Sequence, residues 1–121
     1  MDSIRGAIVA LTSSILVALL FAYTFRIPIP MGGMLGPLGG LNPYSMGFSG
    51  VLTSVAVAWL FYGLFGGFVI LPVFGAIAGH LASQKFSAAG NKRQMVVLWA
   101  VLAGMIPVFG LSILDLIIGP W

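Results

Sequence analysis

Residues 51–118 read VLTSVAVAWLFYGLFGGFVILPVFGAIAGHLASQKFSAAGNKRQMVVLWAVLAGMIPVFGLSILDLII: an uncharged apolar run, a short basic turn and a second apolar run. The turn, residues 83–94, is Ser-Gln-Lys-Phe-Ser-Ala-Ala-Gly-Asn-Lys-Arg-Gln. It holds Lys85, Lys92 and Arg93 with no acid among them. Gly90-Asn91 supplies the turn chemistry. Before it, residues 51–82 carry no charge; after it, residues 95–118 carry only Asp115. The layout predicts a helical hairpin closed by a basic turn. As one helix, residues 51–82 measure about 48 Å, against a hydrocarbon core of about 30 Å. Pro72 is expected to kink that helix and Pro107 the next.

Small residues recur along both arms. Gly63, Gly67, Gly75 and Gly79 fall on an i, i+4 ridge, and Ala100 and Gly104 form a further pair. Glycines at that spacing let a neighbouring helix approach closely in a membrane. These six are the candidate helix-packing positions.

Upstream, residues 6–25 form another apolar run, interrupted in its middle by Thr12, Ser13 and Ser14 and closed by Tyr23 and Arg26 as interface anchors. A signal peptide is the competing reading. The run is long for one, and Phe21-Ala22-Tyr23-Thr24-Phe25-Arg26 is a poor small-residue cleavage site. A retained helix is expected over 1–26. Residues 27–50 are dense in breakers, with Pro28, Pro30, Pro37 and Pro43 among seven glycines, so no regular helix or central strand is expected there. The segment also lacks charge, which predicts an apolar connector lying against protein or at a lipid boundary. The chain thus divides into an N-terminal helix (1–26), a Gly/Pro-rich loop (27–50) and a hairpin core (51–121). Gly119-Pro120 is expected to end the last helix, with Trp121 at the interface.

Composition agrees. Of 121 residues, 60% are hydrophobic and 6% charged, where a soluble domain carries about 25% charged. Mean hydropathy is +1.16. Soluble globular and disordered readings are both excluded. The formal charge of +3 is too small for a dispersed nucleic-acid face, so only the placement of the cations matters. By the positive-inside rule the hinge is cytoplasmic, which puts the N-terminus inside and the Gly/Pro loop and C-terminus outside.

Little in the chain carries chemistry. There is no cysteine and a single histidine, His80, whereas a metal site needs three or four converging ligands. Asp2 and Asp115 are expected on opposite membrane sides, where they cannot act as an acid/base pair. Asp115 is expected to be solvated or paired with Arg26. No enzymatic activity is expected, and no cofactor.

In layout, residues 51–118 resemble conjugation and type IV secretion pilins, helix–basic loop–helix proteins stored in the membrane and extracted into a helical tube. The archaeal DNA-import pilins, small, Ala/Gly/Val-rich and nearly uncharged, are the most similar in character. The resemblance covers a little over half the chain. It implies an all-α fold of three apolar helices assembling into a helical polymer, in the cell membrane before assembly and an extracellular pilus after. It places Lys85, Lys92, Arg93, Gln84 and Gln94, with Asn91 beside them, in the lumen, facing the head group of a structurally bound membrane lipid. The implied partners are other copies of the chain, membrane lipid, DNA passing through the lumen without sequence recognition, and secretion or import machinery. Three rivals share the composition. One is a capsid or envelope protein of a lipid-containing archaeal virus, binding DNA through the same hinge. Another is an accessory subunit of a respiratory or transport complex. The third, a holin-like pore, should carry charged rings along a helix, and the apolar runs here have none.

Overall fold

The computed structural model describes residues 1–88 and 90–118. It is mostly helical: α1 spans Asp2–Thr24, α2 Pro43–Tyr62, α3 Phe68–Lys85 and α4 Lys92–Ile118, with a two-stranded antiparallel sheet of β1 (Ile27–Ile29) and β2 (Gly33–Leu35). Three helical stretches are long and apolar enough to cross a membrane: Asp2–Thr24, Pro43–Lys85 and Lys92–Leu114. The small sheet is an addition to the all-α expectation. The end of α4 at Gly119-Pro120 and the placement of Trp121 lie outside the described residues.

Two local features depart from the sequence reading. Residues 27–50 were expected to hold no regular helix or central strand, yet they hold a two-stranded hairpin and the start of α2, which is itself interrupted at Gly47 (φ 75°, ψ 163°). Proline breaks a helix interior but suits its first position, where the missing N–H bonds nothing anyway. Pro43 takes that place, and the Asn42 side chain caps the end by accepting from the Tyr44 N–H at 2.9 Å. Asn42→Ala should therefore cost about 1 kcal/mol, read as a lower unfolding midpoint. Pro28 sits in a two-stranded sheet, where both strands are edges and its missing donor is tolerated. The second departure lies within residues 51–82. The helix is broken by a π-helical turn at Gly63–Gly67, with Gly66 at φ +121°, and α3 then continues through Pro72. Gly66 adopts a backbone region that L side chains rarely enter, so the break falls there.

The chain divides into two compact units. The first comprises residues 1–14 and 66–107, and the second 15–65 and 108–121.

In the first unit, the opening half of α1 packs on α3 and on the opening half of α4. A Cβ added at Gly6 collides with the Gly75 carbonyl, one at Gly75 with the Gly6 carbonyl and the Ala10 methyl, and one at Gly79 with the Asp2 carbonyl. Early α1 positions meet late α3 positions, so these helices are antiparallel. A Cβ at Gly104 lies 3.1 Å from the Ala10 carbonyl, and Asp2 meets Lys92, so α1 and α4 run parallel here. Ala10, Ala82, Val96 and Ala100 are fully buried. Lipid tails are as apolar as leucine, so close van der Waals contact through small residues holds such helices together.

In the second unit, the closing half of α1 meets the closing part of α4 through Phe21, Phe25 and Phe109, with ring centroids 6.0–6.2 Å apart. Ser14 in the first unit and Ser112 in the second are fully buried, and each returns its hydroxyl hydrogen to a carbonyl of its own helix, Leu11 and Val108. That removes the cost of burying them. The connector folds back on the end of α1: the Leu38 N–H donates to the Phe25 carbonyl at 3.3 Å. Gly36, at φ +144°, lies against the backbone of Phe25 and Arg26 where no side chain fits. Ile27, Pro28 and Leu35 are buried, whereas Met31 at the hairpin tip is fully exposed.

Candidate functional site

The charged residues of the first unit, Asp2, Arg5, Lys85, Lys92 and Arg93, collect where α3 ends and α4 begins. Lys85 is the last residue of α3 and Lys92 the first of α4. Between them the chain turns through the hinge, and Phe86 closes α3 with its N–H bonded to the Ala82 carbonyl. Because α1 runs parallel to α4, the N-terminus arrives at this same end and brings Asp2 and Arg5.

The three hinge cations occupy different surroundings. The Lys92 ammonium lies 2.9 Å from an Asp2 carboxylate oxygen, and Arg5 meets the other oxygen at 3.4 Å. The Lys85 ammonium lies over the Trp99 ring at 5.4 Å and the Phe86 ring at 5.7 Å, within cation–π range. Arg93 is exposed, as is Gln94 beside it. Gln84 turns back along α3, its amide nitrogen 3.0 Å from His80 Nε2. A shallow groove of about 430 Å³ lies along α4, lined by Arg93, Gln94, Val97, Leu98 and Val101. A smaller one of about 230 Å³ runs along α1 beside Met1, Ile4, Arg5, Ile8 and Val9.

The Asp2–Lys92 pair is partly exposed, with 23% and 40% of the side chains accessible, so screening limits its strength. Asp2→Asn should lower the unfolding midpoint only modestly, because exposed ion pairs contribute little. The loss should shrink when the unfolding midpoint is measured at 1 M salt, where the Debye length falls to about 3 Å.

The glycine positions divide by unit. Gly75, Gly79 and Gly104 face α1 inside this chain, and Ala100 is buried in the same packing. Gly63 is buried in the second unit, and Gly67, at the start of the first, is half-exposed. The sequence reading missed Gly6 and Ala10 as the surface that meets the α3 glycines, and Asp2 as the counter-ion of the hinge. Gly6, Ala10 and Ser14 do form an i, i+4 series of small residues, and that signal was available.

In the second unit the Arg26 side chain donates through Nε to the Ser112 carbonyl at 2.9 Å and lies 5.8 Å from the Phe25 ring. Tyr23 meets Tyr44 edge to face at 5.6 Å. The expected Arg26–Asp115 pairing involves an Asp115 side chain outside those described. Among the described residues, no group of three or more His, Asp or Glu residues is placed to hold a metal ion. No known protein family, curated protein or solved structure matches the chain.

Proposed function

We propose that this chain is a structural subunit stored in the membrane and assembled into a lipid-containing, conjugation-like pilus that serves DNA transfer. The observation that carries the proposal is the distribution of polarity in the first unit. The α3–α4 hairpin keeps its cations at the turn, while its outward walls are apolar: Ile70, Ile77, Leu98, Leu102 and Ile106 are all about half exposed or more. Only 17% of the α2–α3 span window and 28% of the α4 window are buried within the chain. Faces of this kind need lipid or further copies to cover them. A hairpin with an apolar shaft and a basic tip suits a tube whose wall is greasy and whose inner rim is polar.

A second reading, an accessory subunit of a larger membrane complex, draws on a different observation. Gly75, Gly79 and Gly104 are already occupied by α1, so the closest-packing surface is spent inside the chain. In the pilus reading the contacts between copies then fall to the remaining exposed apolar faces and to Gly67.

Negative-stain electron microscopy of material sheared from the cell surface, with mass spectrometry of its protein and lipid, separates the two. Uniform thin filaments composed of this chain with stoichiometric lipid are the expected result. Recovery only in membrane-bound hetero-complexes overturns the pilus reading.

A further inference from the structure

The chain passes between its two units at three places, and a weakened piece of helix stands at each. In α1 the passage follows Ser14. Just before it, the hydroxyls of Thr12, Ser13 and Ser14 donate to the carbonyls of Ile8, Ala10 and Leu11 at 2.8, 3.4 and 2.7 Å. Hydroxyls returned to the preceding turn in this way bend helices. The second passage precedes Gly66, inside the π-helical turn and at the positive φ. The third follows Pro107, which has no N–H to offer the Ala103 carbonyl one turn back. Inserted hydroxyls, a π-helical turn and a proline are separate causes of helix bending, and here all three fall on the same division. Pro72, also inside a helix, lies within the first unit and away from every passage.

Packing in the first unit brings the three to one level. Gly104 meets Ala10 on the parallel α1, so Pro107 stands level with Ser13. On the antiparallel α3, Gly75 lies against Gly6 and Ala10, which carries Gly66 to within about one turn of Ser14. That level is about 18 Å along α1 from Asp2, near the middle of a core of about 30 Å. A break in one helix alone would be held straight by its neighbours; breaks in all at one level bend together. We propose that the three form a single hinge, on which the second unit tilts against the first as the thickness of the bilayer changes. The proposal rests on the membrane-embedded part of the function above and not on polymerisation. Each unit is stiff by itself: backbones touch at Gly6, Gly75 and Gly104 in the first, and the rings of Phe21, Phe25 and Phe109 stack or meet edge to face in the second. The need to bend is built into the lengths. Asp2–Thr24 and Lys92–Leu114, 23 residues each, measure about 34 Å and nearly match the core. Pro43–Lys85, at 43 residues, would measure about 64 Å if straight, and a stretch too long for its bilayer is accommodated by tilting and kinking.

The test places the full chain, which has no cysteine of its own, in phosphatidylcholine nanodiscs with acyl chains of 14 or 22 carbons. Spin labels on Ser87→Cys and Ser49→Cys, exposed sites in the first and second units, report the separation between units by pulsed electron paramagnetic resonance. Labels on Ser87→Cys and Val69→Cys report the first unit alone. Exchanging the lipid should move the mean distance across the units at least threefold more than the distance within the first unit. Pro107→Ala, which restores an N–H to the Ala103 carbonyl, should cut that movement at least twofold. Thr12→Ala combined with Ser13→Ala should do the same, and Pro72→Ala should leave it unchanged. The two hinge variants alter different helices, so if far-UV circular dichroism shows one misfolded, the other carries the comparison. A distance across the units that ignores bilayer thickness, hinge variants that move as the parent does, or a Pro72→Ala effect equal to that of Pro107→Ala overturns the hinge. Because nanodiscs hold isolated chains, an absence of filaments under the microscope bears on the pilus reading and not on this one.

Discussion

Gly75→Leu should destroy the packing of the first unit. The leucine enters a gap in which even a Cβ collides with the Gly6 carbonyl and the Ala10 methyl, and neither partner is the far end of a flexible side chain. Overpacking costs about 1–3 kcal/mol where side chains yield; here helix backbones must separate, so the effect should reach or exceed the upper value. Gly79→Leu, against the Asp2 carbonyl, should behave alike. Separating α1 from α3 also pulls Asp2 away from Lys92, so the hinge loses its counter-ion in the same step. Gly110→Ala is the contrasting case. Nothing lies within 4 Å of its added Cβ, and the lower backbone entropy of alanine in a helix should stabilise by up to about 1 kcal/mol. Thermal unfolding in detergent reads both signs. If Gly75→Leu unfolds like the parent chain, α1 does not occupy the glycine groove, and the groove becomes available to other copies.

Replacing Lys85, Lys92 and Arg93 together with Gln should remove the main orientation signal of the chain. Each basic residue near an anionic surface contributes about 1 kcal/mol, so the triple change forfeits roughly 3 kcal/mol, about two orders of magnitude in orientation preference. In the helical array proposed above, the hinges of neighbouring copies would come within or near a Debye length of about 8–10 Å, and their mutual repulsion would need covering anions. A wall neutralised by lipid phosphate lets a DNA strand slide, whereas bare cations bind its phosphates and hold it. If the pilus function proposed above holds, the triple variant should lose bound lipid and DNA transfer together, while Lys92→Gln alone should be mild. DNA uptake by cells in which filaments still form checks this. Full transfer with unchanged lipid content leaves the hinge as an orientation signal alone.

What the sequence revealed and what it hid follow from the range of the interactions. The apolar character and the helices on either side of the basic hinge were legible because they depend on local composition and on where seven charged residues fall. The shared end of the N-terminus and the hinge was legible from Lys85, Lys92 and Arg93 through the charge asymmetry. The partner of the glycine ridge was not, because Gly6 and Gly75 lie far apart in sequence and spacing on one helix says only that something packs there. The hinge was read as having no acid to balance it, since the balancing residue is Asp2 at the opposite end of the chain. In the connector, proline and glycine were read as breakers. Asn42-Pro43 is instead a helix start, and Gly36 permits the turn that returns the chain to Phe25. The sequence reading did not single out Gly66, whose positive φ breaks the helix ahead of Phe68, while α3 runs on through Pro72.

The chain has no cysteine, which opens the most direct test of the central claim, that the stretches Asp2–Thr24, Pro43–Lys85 and Lys92–Leu114 cross a membrane with the N-terminus and the hinge at one face. Ser3→Cys, Ser87→Cys and Gly40→Cys place single thiols at the N-terminus, in the hinge and in the connector. A membrane-impermeant maleimide added to intact cells should label Gly40→Cys alone, and permeabilisation should expose the other two together. Labelling of Ser3→Cys and Ser87→Cys on opposite faces, or of all three in intact cells, would contradict the account.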